Sequence, residues 1–236
     1  MGLMIFLIIV CSLTYSFEII FGLAGTIIMM PILGFVFESK TLVIYSLLPQ
    51  MLVTTIALSK SYRKVNIKEW AVMLVSATIG AIAGSWLFTS IPNDIFKRML
   101  AVIITLSGIY MVISPGYKAG KNARRVMDFI AGLSHSLFGI SGPIVMTRLM
   151  GTFEDKTVIR NGALLFFFSQ NIIRVINCLI NDLFTPEIWK MYAVSAPFLC
   201  IVLFFSDRLH FKISNQKFKK LVSWVILFSG IIYFFR

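Results

Sequence analysis

Two glycine-centred segments of this sequence have the composition of a binding site built from backbone. They read FGLAGTIIMMPIL at residues 21–33 and FGISGPIVMTRLM at residues 138–150. Glycine permits turns that interrupt a helix, and a helix that restarts after such a turn presents free N–H groups and its positive dipole end to an anion. The residues that would form the two turns are Gly22, Gly25, Thr26, Gly139, Ser141, Gly142 and Pro143.

Three of these residues add to that chemistry. The hydroxyls of Thr26 and Ser141 are further donors, and Pro143, which lacks an N–H, suits the first turn of a restarting helix. The alternative is that each Gly-x-x-Gly pattern only lets membrane helices pack closely. Two copies of the motif favour the binding interpretation over the packing one.

The second segment repeats the first at a constant offset of 117 residues. The matched residues are Phe21, Gly22, Gly25, Ile27 and Met29 in the first copy, and Phe138, Gly139, Gly142, Ile144 and Met146 in the second. A later match at an offset of 122 relates Asn93, Phe96 and Lys97 to Asn215, Phe218 and Lys219. Matches that keep their order predict an internal duplication.

A polar stripe marks one later apolar stretch. Its members recur at spacings of four, three and four, which places them on one helical face, and they are Gln170, Arg174, Asn177 and Asn181, with Asn171 beside them. An arginine inside a membrane helix costs at least about 2.5–3.5 kcal/mol, so it should face protein or water. We expect Arg174 to bind an anion; the alternative is that its side chain reaches the lipid headgroups.

Four more residues extend the candidate site. A shift of 120 residues relates Gln50 to Gln170 and Thr54 to Arg174, so both halves could supply polar groups to one centre. Glu18 and His135 are equivalent at the offset of 117, and either could carry a proton during transport. Alternatively, Glu18 pairs with a neighbouring helix and His135 binds a carbonyl group.

The composition places these residues in a membrane. Hydrophobic residues make up 58% of the 236-residue chain and charged residues only 14%, against about 25% in soluble domains. Unbroken apolar runs lack the alternation of a barrel, so we predict an all-α, multi-pass transmembrane bundle. The predicted segments are 3–37 (interrupted), 41–59, 68–90, 96–114, 127–150 (interrupted), 157–181, 187–206 and 217–235.

The basic loops indicate how the two halves are oriented. Lysine and arginine favour cytoplasmic loops, and most of them fall on one side of the membrane if segment 127–150 enters and returns as a re-entrant hairpin. This predicts two inverted repeats at 1–114 and 126–236, each beginning with a broken or re-entrant segment, joined by a basic cytoplasmic linker at 115–125. The first segment could hold two passes or a pass plus a half-helix.

Other classes of function find little support. The net charge of +12 lies in short loops, where orientation in a membrane explains it better than nucleic-acid binding. No protease, P-loop or dinucleotide motif is present, and with His135 and His210 as the two histidines we expect no metal site, no cofactor and no enzyme. Arg148 and Arg160 are expected to be interfacial or loop charges.

With these motifs the chain resembles the TauE/SafE family of anion exporters, in which each half carries a Gly-rich break of the type GxGGG or GxGGP. The resemblance rests on residues 22–26 (GLAGT) and 139–143 (GISGP), on the basic turn at 62–66 (YRKVN), and on the pair Asn171 and Arg174. It implies export of sulfite, organosulfonates or related anions. Ala24, Thr26 and Ser141 stand where the family usually has glycine.

The sequence therefore favours a secondary transporter of the cell membrane that moves a small anion through a site shared by both glycine motifs. The second hypothesis is a non-transporting scaffold or assembly factor in which the motifs only pack helices. A membrane-embedded enzyme is the third, and it would need Glu18, His135 and a hydroxyl group around one pocket. The expected partners are the anion and the bilayer, with the oligomeric state open.

Overall fold

A computed structural model describes residues 2–23, 25–61, 67–113 and 118–206, together with Trp224, Phe228 and Ile231. Within this part of the chain the fold consists of nine α-helices, with no strand. They are α1 (Gly2–Phe21), α2 (Gly25–Leu33), α3 (Ser39–Ser61), α4 (Ile67–Ser90), α5 (Asn93–Ile113), α6 (Lys121–Phe138), α7 (Gly142–Met150), α8 (Lys156–Ile180) and α9 (Pro186–Ser206). The predicted segment 217–235, the match at 215–219 and the basic turn at 62–66 lie outside the described residues.

The length and hydropathy of the helices confirm that this is a multi-pass membrane protein. Among the described residues, five helices are long and apolar enough to cross a bilayer: Gly2–Phe21, Ser39–Ser59, Trp70–Ser90, Lys156–Ile180 and Pro186–Ser206. Their outward faces carry large apolar side chains, among them Ile180, which is 75% exposed, and Trp86, which is 70% exposed. Such faces are stable against lipid.

Both interrupted segments are split by a glycine in the left-handed conformation. Gly22 has φ +76° and Gly139 has φ +71°, and each follows the last residue of a helix, Phe21 or Phe138. The N–H of Gly22 donates to Glu18 O at 2.7 Å, and the N–H of Gly139 donates to His135 O at 2.8 Å. This is a common way to end a helix, because only glycine adopts the conformation without strain.

A short helix restarts after each of these turns. Both α2 and α7 contain nine residues, which corresponds to about 13.5 Å at the helical rise of about 1.5 Å per residue. That length is less than half of a hydrocarbon core of about 30 Å. Of the two possibilities for the first segment, the bounds therefore fit a pass plus a half-helix.

Substitution of Gly139 should report the strain that its backbone would impose on another residue. We expect Gly139→Ala to lower stability by about 1–2 kcal/mol, because alanine is disfavoured at positive φ, and Gly139→Asn to cost less. Thermal unfolding of the purified protein in detergent measures the difference. Gly120, with φ −66° and open space around it, provides the control Gly120→Ala. If Gly139→Ala and Gly120→Ala lowered the unfolding temperature equally, the left-handed conformation of Gly139 would be contradicted.

The helix α6 begins earlier than the apolar run predicts. Its first turn carries the basic sequence KNARR from residue 121, which is largely exposed, before the helix enters the bundle. There α6 packs along α4 at very short range, since Gly80 and Gly84 of α4 and Gly132 of α6 leave no room for a Cβ against the facing backbone. We call this contact, formed by Gly80, Gly84 and Gly132, the glycine seam between α4 and α6.

Candidate functional site

The two glycine breaks border one small cavity. It is lined by Glu18, Thr26, Ile27, Gln50, Gly139, Ile140, Ser141, Gly142 and Phe167. Residues of α1, α2 and α3 thus meet the turn between α6 and α7. The cavity volume is about 10 Å³, roughly the space that a single water molecule requires. In this conformation the cavity is too small for an anion of several heavy atoms.

A chain of hydrogen bonds connects a buried arginine to a buried acid beside this cavity. Arg174 Nη1 donates to Asn171 Oδ1 at 3.2 Å, and Asn171 Nδ2 donates to Gln50 Oε1 at 3.1 Å. Gln50 Nε2 then donates to Glu18 Oε1 at 2.8 Å. Every bond runs in the same direction, from the cation to the carboxylate. Two amides therefore bridge Arg174 and Glu18, which partly compensate each other's charge away from water.

His135 joins the same network from α6. Its Nε2 lies 2.9 Å from Asn171 Oδ1, and its Nδ1 lies 3.1 Å from Ser141 Oγ. Because Asn171 Oδ1 can only accept, Nε2 carries the proton and Nδ1 accepts from the serine hydroxyl. The imidazole ring also stacks on Phe167, with ring centroids 5.3 Å apart. His135 thus links the α8 amide to the N-cap residue of α7.

The position of Arg174 argues against snorkelling to the headgroups. Its side chain is only 4% exposed, and Nη2 donates to Val43 O on α3 at 2.8 Å. The same nitrogen would lie 3.3 Å from a Cβ added to Gly139, so the guanidinium is next to the second break. It also borders a second cavity of about 10 Å³, lined by Val43, Ile44, Phe88, Ser136, Arg174, Asn177 and Cys178.

Glu18 lies at the N-terminal end of α2. Its Oε2 is so close to Gly25 that a Cβ at this position would collide with it. The backbone N–H groups of Gly25 and Thr26 point toward the carboxylate, although Oε2 completes no hydrogen bond of good geometry within the described part of the chain. A buried acid, 1% exposed, therefore stands where a helix N-terminus attracts anions.

Other predicted residues lie further from the cavity. Thr54 is buried, and its hydroxyl donates to Gln50 O on its own helix at 2.8 Å. Gln170 is fully buried, yet neither amide atom has a hydrogen-bond partner among the described residues. Its neighbour Asn171, rather than Gln170, bonds to Gln50. Pro143 is in the first turn of α7, as its missing N–H predicts.

The prediction for Arg148 and Arg160 was wrong, because both side chains are buried. Arg148 is 4% exposed and pairs with Asp128 on α6, with Nε 3.4 Å from Oδ1. Arg160 is 2% exposed and donates from Nε to Ile19 O at 2.7 Å, at the last turn of α1. A cation at a helix C-terminus interacts favourably with the helix dipole.

Tyr15 is a residue of the site that sequence reasoning missed. Its hydroxyl donates to Ser46 O at 3.0 Å and lies 3.5 Å from Thr26 Oγ1, so it holds α1 against α3 and α2. A signal was present in the sequence, since Cys11, Tyr15 and Glu18 recur at spacings of four and three and share one face of α1. All three are buried.

Interrupted helices that meet at a buried polar centre are a feature of many membrane transporters. Comparison with protein families identifies the family of this chain. The chain matches the family model "Sulfite exporter TauE/SafE" over residues 7–233, and it belongs to this family of membrane transporters. The predicted resemblance is confirmed over nearly the whole length. No curated protein and no solved structure shows significant similarity to the chain.

Proposed function

We propose that this protein is a secondary transporter that moves a small anion, sulfite or a related organosulfonate, across the cell membrane by alternating access. The carrying observation is that both glycine breaks border one cavity, beside a network that contains a buried arginine. The family supports an anion as substrate. Helix N-termini and a guanidinium group are both suited to sulfur oxyanions.

In this proposal the anion binds between the two restarting helices. The N–H groups of α2 and α7 contact its oxygens, as do the hydroxyls of Thr26 and Ser141. Arg174 provides the positive charge, while Gln50 and Asn171 hold the guanidinium and can turn their amide donors to the substrate. Gln170 and Thr54 lie one residue and one turn away from these amides and complete the polar wall when the helices move.

The size of the cavity supports the need for a conformational change. A space of about 10 Å³ admits one water molecule, whereas a sulfite ion has four heavy atoms. The breaks must separate before substrate binds. We propose that residues 1–114 and 126–236 form inverted repeats that rock against each other, joined by a cytoplasmic linker at 115–125. The matching nine-residue half-helices and the basic loops support this arrangement.

Two titratable groups are candidates for proton coupling. Glu18 and His135 lie at corresponding positions, one turn before the breaks, and the amides of Gln50 and Asn171 connect them. Either group can exchange a proton with water when its side of the site opens. We propose that at least one of them does so during transport.

Flux through reconstituted protein tests the function. We expect proteoliposomes that contain the purified chain to release trapped radiolabelled sulfite at least about tenfold faster than protein-free liposomes. Saturation with concentration and inhibition by an organosulfonate would indicate a shared site. A scaffold or assembly factor predicts no protein-dependent flux in either direction. That result, from protein shown to be folded, would reject the transporter proposal.

A further inference from the structure

We propose that the Glu18 carboxylate is a tethered competitor of the transported anion, so that each anion binds together with one proton on Glu18. This inference rests on the proposed function and adds how the site is coupled. The competitor is identified by its place at the N-terminal end of α2, on the same cavity as the turn before α7. A carboxylate and a sulfur oxyanion accept hydrogen bonds from the same kind of backbone N–H donor.

The geometry at the start of α2 places the Glu18 carboxylate against its backbone. The glycine at position 25 is required because a side chain there would collide with Glu18 Oε2. This oxygen has no hydrogen bond of good geometry within the described residues, although Glu18 is 1% exposed. A buried carboxylate oxygen that faces helix N–H groups without a completed bond marks a place where an anion, or a proton, can be gained.

Charge compensation also favours a proton on Glu18 when the anion binds. Arg174 and Glu18 form one buried, oppositely charged couple, because Asn171 and Gln50 bridge them in a single hydrogen-bond direction. A substrate anion added to this couple would leave an uncompensated negative charge in a site with room for about one water molecule. When Glu18 takes up one proton, the positive charge of Arg174 becomes available to the anion. The bound state is then again neutral for a monoanion.

Other titratable groups lie on the helices around Glu18. Those with buried side chains in the described part of the chain are Cys11 and Tyr15 on α1, Tyr45 on α3, Asp128 and His135 on α6, and Arg160, Arg174 and Cys178 on α8. The other acid of this set, Asp128, pairs with Arg148. The helix α2 carries no titratable side chain. On α9, which packs against α1, the charged residues Glu187 and Lys190 are exposed near its N-terminal end. Glu18 is therefore the acid of this centre.

The roles of its neighbours agree with this choice. Tyr15 donates its proton to Ser46 O, and the neutral form of His135 satisfies both of its ring contacts. Arg160 is engaged with the Ile19 carbonyl. Protonation of Glu18 retains the bond from Gln50 to Oε1 and places a hydroxyl at Oε2, which faces the cavity. A proton on this residue changes the charge of the site without breaking the amide bridge.

The test compares the pH dependence of anion binding in two proteins. Equilibrium binding of radiolabelled sulfite to the purified protein in detergent is measured from acid to alkaline pH for wild type and Glu18→Gln. We expect the wild-type affinity to weaken more steeply with rising pH, and Glu18→Gln to bind at least about tenfold more tightly at the alkaline end. Protonation of sulfite itself affects both proteins equally and cancels in the comparison.

The same binding measurement provides a control variant and the results that would contradict the proposal. Glu154→Gln removes an exposed acid in the α7–α8 loop and should follow wild type at every pH. Identical pH profiles for wild type and Glu18→Gln would overturn the tethered competitor while leaving anion transport intact. Absence of sulfite binding and of sulfite flux in wild type would overturn the proposed function and this inference together. If Glu18→Gln is unstable, Glu18→Ala also removes the carboxylate and should likewise tighten binding at the alkaline end.

Discussion

Replacement of Arg174 by alanine should reduce sulfite flux by at least about a hundredfold. The variant removes the proposed positive charge of the site and leaves Glu18 without its bridged cation. A hydrogen bond to a charged group contributes about 1.5–3 kcal/mol, and about 2.7 kcal/mol corresponds to a hundredfold change in rate. Proteoliposome efflux of radiolabelled sulfite, normalised to the amount of reconstituted protein, measures the effect.

Two further variants separate charge from geometry. Arg174→Lys keeps the charge but cannot contact both Asn171 Oδ1 and Val43 O through a fork, so we expect an intermediate flux. Arg125→Ala removes an exposed arginine at the start of α6 and should transport like wild type. If Arg174→Ala is folded by size-exclusion chromatography and transports normally, Arg174 has no part in the mechanism.

Substitution of Gly132 by alanine should produce the largest loss of stability. The added Cβ would overlap the carbonyl group of Ala77, which is backbone and cannot rotate away as a side chain can. Overpacking usually costs about 1–3 kcal/mol, and a backbone collision belongs at or above the upper end of that range. We expect a strongly lowered unfolding temperature and a reduced yield of protein in the membrane fraction.

The control for this experiment is Gly120, the glycine that directly precedes α6. Gly120→Ala meets no atom within 4 Å and should leave the unfolding temperature nearly unchanged. Gly80→Ala, which would meet Phe129 O across the same seam, should behave like Gly132→Ala. An unfolding temperature equal to wild type for Gly132→Ala would show that α4 and α6 do not pack as closely as described.

The interruptions of the two long segments were predictable because local chemistry determines them. A helix ends readily where a glycine can adopt positive φ, and Gly22 and Gly139 do so one residue after the helix. The apolar runs likewise predicted helices in the described part of the chain. The start of α6 was placed too late, because a helix can continue beyond the apolar run into polar turns such as KNARR.

Pairings between helices were not predictable to the same degree. The polar stripe of α8 was recognised, but a single sequence does not give the rotation of α8 against α3. Asn171 therefore reaches Gln50, whereas Gln170, which the shift of 120 residues relates to Gln50, has no hydrogen-bond partner among the described residues. Arg160 was misjudged for a similar reason, because its acceptor, Ile19 O, lies on a helix 141 residues away in sequence. Only the folded structure brings such groups together.

The one-water cavity also has an electrical consequence. A potential of 100 mV across a membrane is worth about 2.3 kcal/mol for each elementary charge that crosses it. A continuous file of water along the glycine breaks would let protons or small ions dissipate that energy between transport cycles. The described conformation instead places Phe167, Ile27 and Ile140 around a space with room for about one water molecule. At this cavity, the described part of the chain leaves no room for such a file of water, and packing of this kind limits the leak of charge between transport cycles.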